Sequence, residues 1–127
     1  MKGKKSVLIV TDGTKEVTKM AEDIAAALKG NKVLLKGISS FVGNDLLQAE
    51  FLFFGCKEPA PPSFKYFEDL LQHINLAGRP LGIFSPGSTE AVQYLSRLVK
   101  DSEAALFPEP FFAGNVEKWA AGVLTGV

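Results

Sequence analysis

Ser6-Val-Leu-Ile-Val-Thr-Asp-Gly-Thr-Lys-Glu-Val-Thr-Lys-Met-Ala-Glu-Asp-Ile-Ala-Ala-Ala-Leu28 joins an apolar run to a polar turn and then to a long one-sided stretch. The unbroken aliphatics Val7–Val10 read as a strand buried on both faces. Beyond the turn, Val17, Met20, Ala21, Ile24 and Leu28 recur at spacings of three and four, while Lys15, Lys19, Glu22 and Asp23 fall elsewhere. That is the pattern of a helix packed against a sheet. A strand running through a short turn into a helix aims backbone N–H groups at whatever lies above the strand end, and this favours anions.

Four more apolar runs bounded by turn residues follow, at Val33–Leu35, Phe51–Phe54, Leu81–Phe84 and Ala104–Phe107. Between them lie further one-sided stretches, carried by Phe64, Phe67, Leu70, Leu71 and Ile74, by Val92, Leu95 and Val99, and by Val116, Trp119, Ala120, Val123 and Leu124. Only Gly43–Gln48 is available between the second and third runs, enough for a helix of one or two turns. Continuous apolar strands alternating with such helices predict an α/β protein: a three-layer α/β/α sandwich on a five-stranded parallel sheet with right-handed crossovers. Pro108 and Pro110 crowd the last run and confine it to a short or edge strand, as the order 2-1-3-4-5 would place it.

The 127 residues suit a single domain, 1–127, and 46% hydrophobic content is enough for one continuous core. Fourteen basic residues balance fourteen acidic ones, so no bulk field recruits nucleic acid or an anionic membrane. The apolar run after the basic N-terminus is too short for a signal peptide or a membrane span, and the chain reads as cytoplasmic. One cysteine excludes an intrachain disulfide framework, and one histidine excludes clustered histidine metal motifs. His73 reads as a helix-surface residue.

In a doubly wound sheet, ligands sit beyond the carboxyl ends of the strands where the winding reverses. Three loops meet there: Thr11–Thr18, Cys56–Ser63 and Ser85–Thr89. At these loops the chain resembles the flavodoxin family. The family's first loop typically reads G-T-G-N-T-E-K-M-A-E, and Gly13–Glu22 aligns with it without a gap, matching at Gly13, Thr14, Lys19, Met20, Ala21 and Glu22. Leu46–Cys56 looks like the family's lead into its third strand, with the Gly-Cys pair opening the flavin loop, and Leu76–Phe84 looks like the fourth strand and its approach. The resemblance implies a flavodoxin-like fold, flavin mononucleotide (FMN) as cofactor, electron transfer as the role and a redox protein as partner. It also implies a cofactor site over Thr11, Asp12, Gly13, Thr14, Lys15, Glu16, Val17 and Thr18, with the ring between Cys56, Lys57, Glu58, Pro59, Ala60 and Ser85, Pro86, Gly87, Ser88. No catalytic residue and no metal ligand is implied, so the chain reads as a redox carrier or binding protein rather than a stand-alone enzyme.

The chain departs from the family where the phosphate would be gripped. Lys15, Glu16 and Val17 stand in place of the second glycine, the asparagine and the final threonine, and Pro59 takes the place of a stacking residue. Thr18 is the nearest hydroxyl able to replace the lost one. These departures support an alternative: a flavodoxin-like domain without FMN, serving as an interaction or regulatory module. Phe41, Phe111 and Phe112 read as hydrophobic cover and Trp119 as core. Cys56 lacks the downstream arginine of the cysteine phosphatases, because position 62 is Pro62, and Gly55-Cys-Lys57 lacks the aspartate of response-regulator receivers. Pro62 reads as a helix start.

Overall fold

The computed structural model describes residues 4–125. Five strands, β1 (Ser6–Thr11), β2 (Lys32–Gly37), β3 (Phe51–Gly55), β4 (Pro80–Phe84) and β5 (Ala105–Leu106), form one parallel sheet in the order β2-β1-β3-β4-β5. The helices between and after them are α1 (Lys15–Ala27), α2 (Gly43–Gln48), α3 (Lys65–Leu71), α4 (Thr89–Leu98) and α5 (Val116–Thr125). This is the α/β/α sandwich and the strand order expected from the sequence.

Alternate residues of the central strands build two cores. Val7, Ile9, Phe53 and Phe84 face Val17, Ala21 and Ile24 of α1 and Trp119, Ala120 and Val123 of α5. Leu8, Val10, Leu52, Phe54 and Ile83 face Leu46 of α2, Phe67 and Leu71 of α3, and Ala91 and Leu95 of α4. Helices on both faces explain why β1, β3 and β4 carry unbroken apolar runs.

The outer strands differ from the expected pattern. β2 is longer than its apolar run, and Lys32 and Leu34 are exposed where a covered strand was anticipated. The physical reason is α2, whose six residues are too short to reach across β2. An open groove remains, lined by Ser6, Leu8, Leu34, Asp45, Gln48 and Ala49. β5 is two residues rather than the four of Ala104–Phe107. Pro108 has no N–H to continue the ladder, and pairing resumes only at Phe111, whose N–H donates to the Ile83 carbonyl at 2.9 Å. The stretch that suggested a third helix divides into a 3₁₀ turn at Pro62–Phe64 and α3. Ile74 lies beyond the helix end and packs against the core from the following turn.

The short α2 is held by side chains from elsewhere. The Arg79 guanidinium, next to β4, donates to the Leu46 and Ala49 carbonyls at the carboxyl end of α2, and the Tyr66 hydroxyl accepts the Gly43 N–H at 3.1 Å. Asp45 accepts the Val42 N–H at 3.0 Å.

Trp119 is buried as expected. It stacks on Phe111 with ring centroids 5.1 Å apart, and its Nε1–H donates to the Glu109 carbonyl at 2.6 Å. Its ring approaches β4 only because residue 82 has no side chain. A Cβ there would lie 3.0 Å from two Trp119 ring atoms and 2.9 Å from Val123 Cγ2. Gly82→Ala is therefore expected to push α5 off the sheet and cost about 1–3 kcal/mol. Denaturant unfolding followed by Trp119 fluorescence measures this, and an unchanged midpoint would contradict the close packing.

Candidate functional site

Two of the three loops at the carboxyl edge, those after β1 and β3, are tied together by one side chain. Thr11 ends β1 with its hydroxyl buried and accepting the Gly13 N–H at 3.2 Å. Gly13 takes a left-handed φ of 86°, which glycine adopts without steric cost, and this turns the chain towards α1. Asp12, beside it, points its carboxylate inward: Oδ1 accepts the Thr14 N–H at 3.0 Å and the Thr14 hydroxyl at 2.7 Å, while Oδ2 accepts the Lys57 backbone N–H at 2.9 Å. Thr14 holds the N-cap position of α1, yet its side chain caps no helix N–H; its hydroxyl is turned to donate to Asp12 instead.

A second carboxylate lies in the first turn of α1. Glu16 pairs with the Lys57 ammonium at 3.0 Å. Its own backbone N–H and then Lys57 hold its carboxyl below the usual range, and the pairing raises the Lys57 ammonium in return. Both side chains are half-exposed, so solvent screens the pair and it adds little to stability. Lys15 is exposed, Thr18 is half-buried in the helix, and Val17 is fully buried in the core under α1.

In the second loop Cys56 is buried, while Lys57, Glu58, Pro59 and Ala60 are exposed. Burial, with the Asp12 charge adding to it, pushes the Cys56 thiol up to about 12. Ala60 has a left-handed φ of 49°. A cleft of about 290 Å³ opens between the first two loops, lined by Asp12, Thr14, Lys57, Glu58, Pro61, Pro62 and Ser63. Of these, Pro61, Pro62 and Ser63 were not singled out as site residues by the sequence. Their place in the Cys56–Ser63 loop was the available signal.

In the third loop the Ser88 hydroxyl accepts the Ala91 N–H at 3.0 Å and caps α4, with the half-buried Pro86 and exposed Gly87 before it. Ser85 is fully buried, and its hydroxyl is the buried side-chain oxygen without a hydrogen-bond partner among the described residues.

Aromatic residues do not line the cleft. Phe41 is buried edge-on against Phe67 at 5.2 Å, Phe111 is buried against Trp119, and Phe112 is exposed. His73 is exposed, with Nδ1 2.9 Å from the Asp69 carbonyl. Among the described residues, no three His, Cys, Asp or Glu side chains are grouped to hold a metal, and no helix is long and apolar enough to cross a membrane.

No family model and no curated protein matches the chain. Solved structures do. It is similar to a short-chain flavodoxin associated with a PDU bacterial microcompartment, with a TM-score of 0.84 and 18% identity over 97% of this chain and 98% of that one. Oxidised flavodoxin 2 of Bacillus cereus superposes with a TM-score of 0.80 at 20% identity, over 96% and 99% of the two chains. The fold is that of the flavodoxins. A variant of the Fusobacterium nucleatum flavodoxin bound to FMN is similar at a TM-score of 0.73 and 13% identity, over 97% and 95%.

The donor set of this flavodoxin-like chain suits an anion: the Thr14 N–H and hydroxyl, the Lys57 N–H and the Lys57 ammonium all point at carboxylate oxygens. Three of these donors meet Asp12, and the ammonium meets Glu16. For a planar ring the cleft offers the faces of Pro61 and Pro62 and no aromatic partner.

Cys56 is expected to resist alkylation by iodoacetamide at pH 8 in the native protein and to react only on unfolding. The unfolded thiol ionises near 9.0 and the folded one at about 12. The stability gained by keeping it protonated is therefore complete below pH 9 and lost as the pH rises through that interval. Rapid modification of folded protein would contradict the buried placement.

Proposed function

We propose that this chain is a flavodoxin-like electron-transfer protein that takes up FMN weakly and reversibly at the carboxyl edge of its sheet. The observation that carries the reading is the convergence of anion donors from Thr14 and Lys57 at that edge. On this reading the phosphate lies over Thr11, Asp12, Gly13, Thr14, Lys15, Glu16, Val17 and Thr18. The ring lies between Cys56, Lys57, Glu58, Pro59, Ala60 and Ser85, Pro86, Gly87, Ser88.

When bound, the flavin supplies the redox chemistry. The chain's own part is to hold and orient it. Thr14 donates to the phosphate from its N–H and hydroxyl, and Lys57 supplies positive charge. The prolines of the second loop exclude water from one face of the ring. Val17 contributes nothing polar, because it belongs to the core. Losing a hydrogen bond to a charged group costs about 1.5–3 kcal/mol, and this is why the binding is weak.

The partner on this reading is a redox protein in the cytoplasm. With zero formal net charge, docking draws little on electrostatic steering and should vary little with ionic strength.

One observation favours a second reading, that of a cofactor-free interaction or regulatory module: Asp12 and Glu16 place two carboxylates where the phosphate would sit. An FMN titration separates the two. The first reading expects saturable quenching of flavin fluorescence with a dissociation constant of roughly micromolar or weaker, and protein that is substoichiometric in flavin when purified. Fluorescence that stays unquenched throughout the titration would leave the second reading in its place.

A further inference from the structure

The hydrogen bond from the Lys57 N–H to Asp12 joins positions 45 residues apart. A local turn after β1 needs only the contacts from Asp12 to Thr14, so this third contact does something else. It closes the loop after β3 onto the loop after β1, and the Lys57–Glu16 pair closes the same gap from the side-chain end. We infer that Lys57 is a latch and the Asp12 carboxylate a built-in occupant of the anion position, so that an external phosphate group binds only when the latch opens. The inference rests on the reading of this edge as a site for a phosphate-bearing ligand.

Charge and geometry support it together. A phosphate entering now would meet Asp12 and Glu16, both negative, and would find the Thr14 and Lys57 donors already engaged. The strand register supplies a separate observation. Val10 pairs with Phe54 and Gly55 with Phe84, so Asp12, Cys56 and Ser85 form one row, each following the end of its strand across β1, β3 and β4. Asp12 is fully engaged, yet the Ser85 hydroxyl in the same row is sealed in without a partner among the described residues. A buried hydroxyl left unsatisfied is unfavourable, so the row at this edge is not fully satisfied. Ala60, in the middle of the same loop, takes a left-handed φ of 49°, a mild strain for a residue with a side chain.

The test uses Asp12→Asn, which removes the charge and keeps an acceptor for Lys57, and Glu16→Gln as a second variant should the first fold poorly. Surface Asp23→Asn, whose carboxylate pairs with Lys19 across one turn of α1, is the control. Inorganic phosphate is titrated first, followed by thermal unfolding and by hydrogen exchange at the Lys57 amide. Phosphate is expected to stabilise Asp12→Asn and Glu16→Gln while leaving wild type and Asp23→Asn unmoved, with faster Lys57 exchange in Asp12→Asn before phosphate is added. FMN should then bind Asp12→Asn roughly tenfold or more tightly than it binds wild type.

A wild type that binds phosphate as well as the variants do, or variants as indifferent as wild type, would overturn the latch. Tight FMN binding by wild type, unchanged in Asp12→Asn, would overturn the latch and leave the flavin reading standing. Variants that gain phosphate but no FMN would keep the latch and remove the flavin.

Discussion

Parallel pairing of β1, β3 and β4, with helices on both faces, is the constraint from which the rest follows. These strands are sealed above and below, so their polar termini meet at one edge, and every loop that leaves them must find its hydrogen bonds there. Thr11 serves Gly13, Ser88 caps α4, and Asp12 takes three donors from two loops. The edge is where the fold finishes satisfying its own backbone as well as where a ligand would enter. Those two demands compete for the same N–H groups.

Elements that bury a stripe of their own were legible in the sequence. β1, β3, β4, α1, α4 and α5 each carry enough apolar residues at period two or 3.6, or in an unbroken run, to announce themselves. The right-handed crossovers then follow from the connection rules, and Pro108 and Pro110 put the last strand at an edge, as the order 2-1-3-4-5 requires. What could not be read were contacts between distant residues. Nothing in Gly43–Gln48 says that Arg79 will cap it, and nothing in Lys65–Leu71 says that Glu68 will accept the Tyr94 hydroxyl at 2.6 Å. Periodicity also overran its element at Ile74, which is apolar at helical spacing but packs from a turn. Burial pattern alone does not separate a helix from the chain leaving it.

The candidate site was legible as a set of loops and not as a set of roles. Asp12 reads from the sequence as one of several first-loop residues, just before the aligned Gly13–Glu22, and only the fold shows its carboxylate reaching the second loop. Val17 read as a lost donor. The structure gives the physical reason, since the position belongs to the face that α1 turns to the sheet, where an aliphatic side chain packs without an unsatisfied hydroxyl.

Of the contacts closing the edge, the ion pair of Lys57 with Glu16 is the more visible but the weaker. Its ends are half in solvent, and salt screens it. The Lys57 N–H to Asp12 bond is exposed too, but it is charge-assisted and its donor is fixed backbone rather than the end of a long side chain. Pro59, Pro61 and Pro62 reduce the freedom the loop would regain on opening, so closure loses less entropy than it would in a flexible segment. The left-handed Ala60 works the other way, at a cost of order 1 kcal/mol. The closed edge therefore rests mainly on one backbone amide and one carboxylate, rather than on the salt bridge that lies across it.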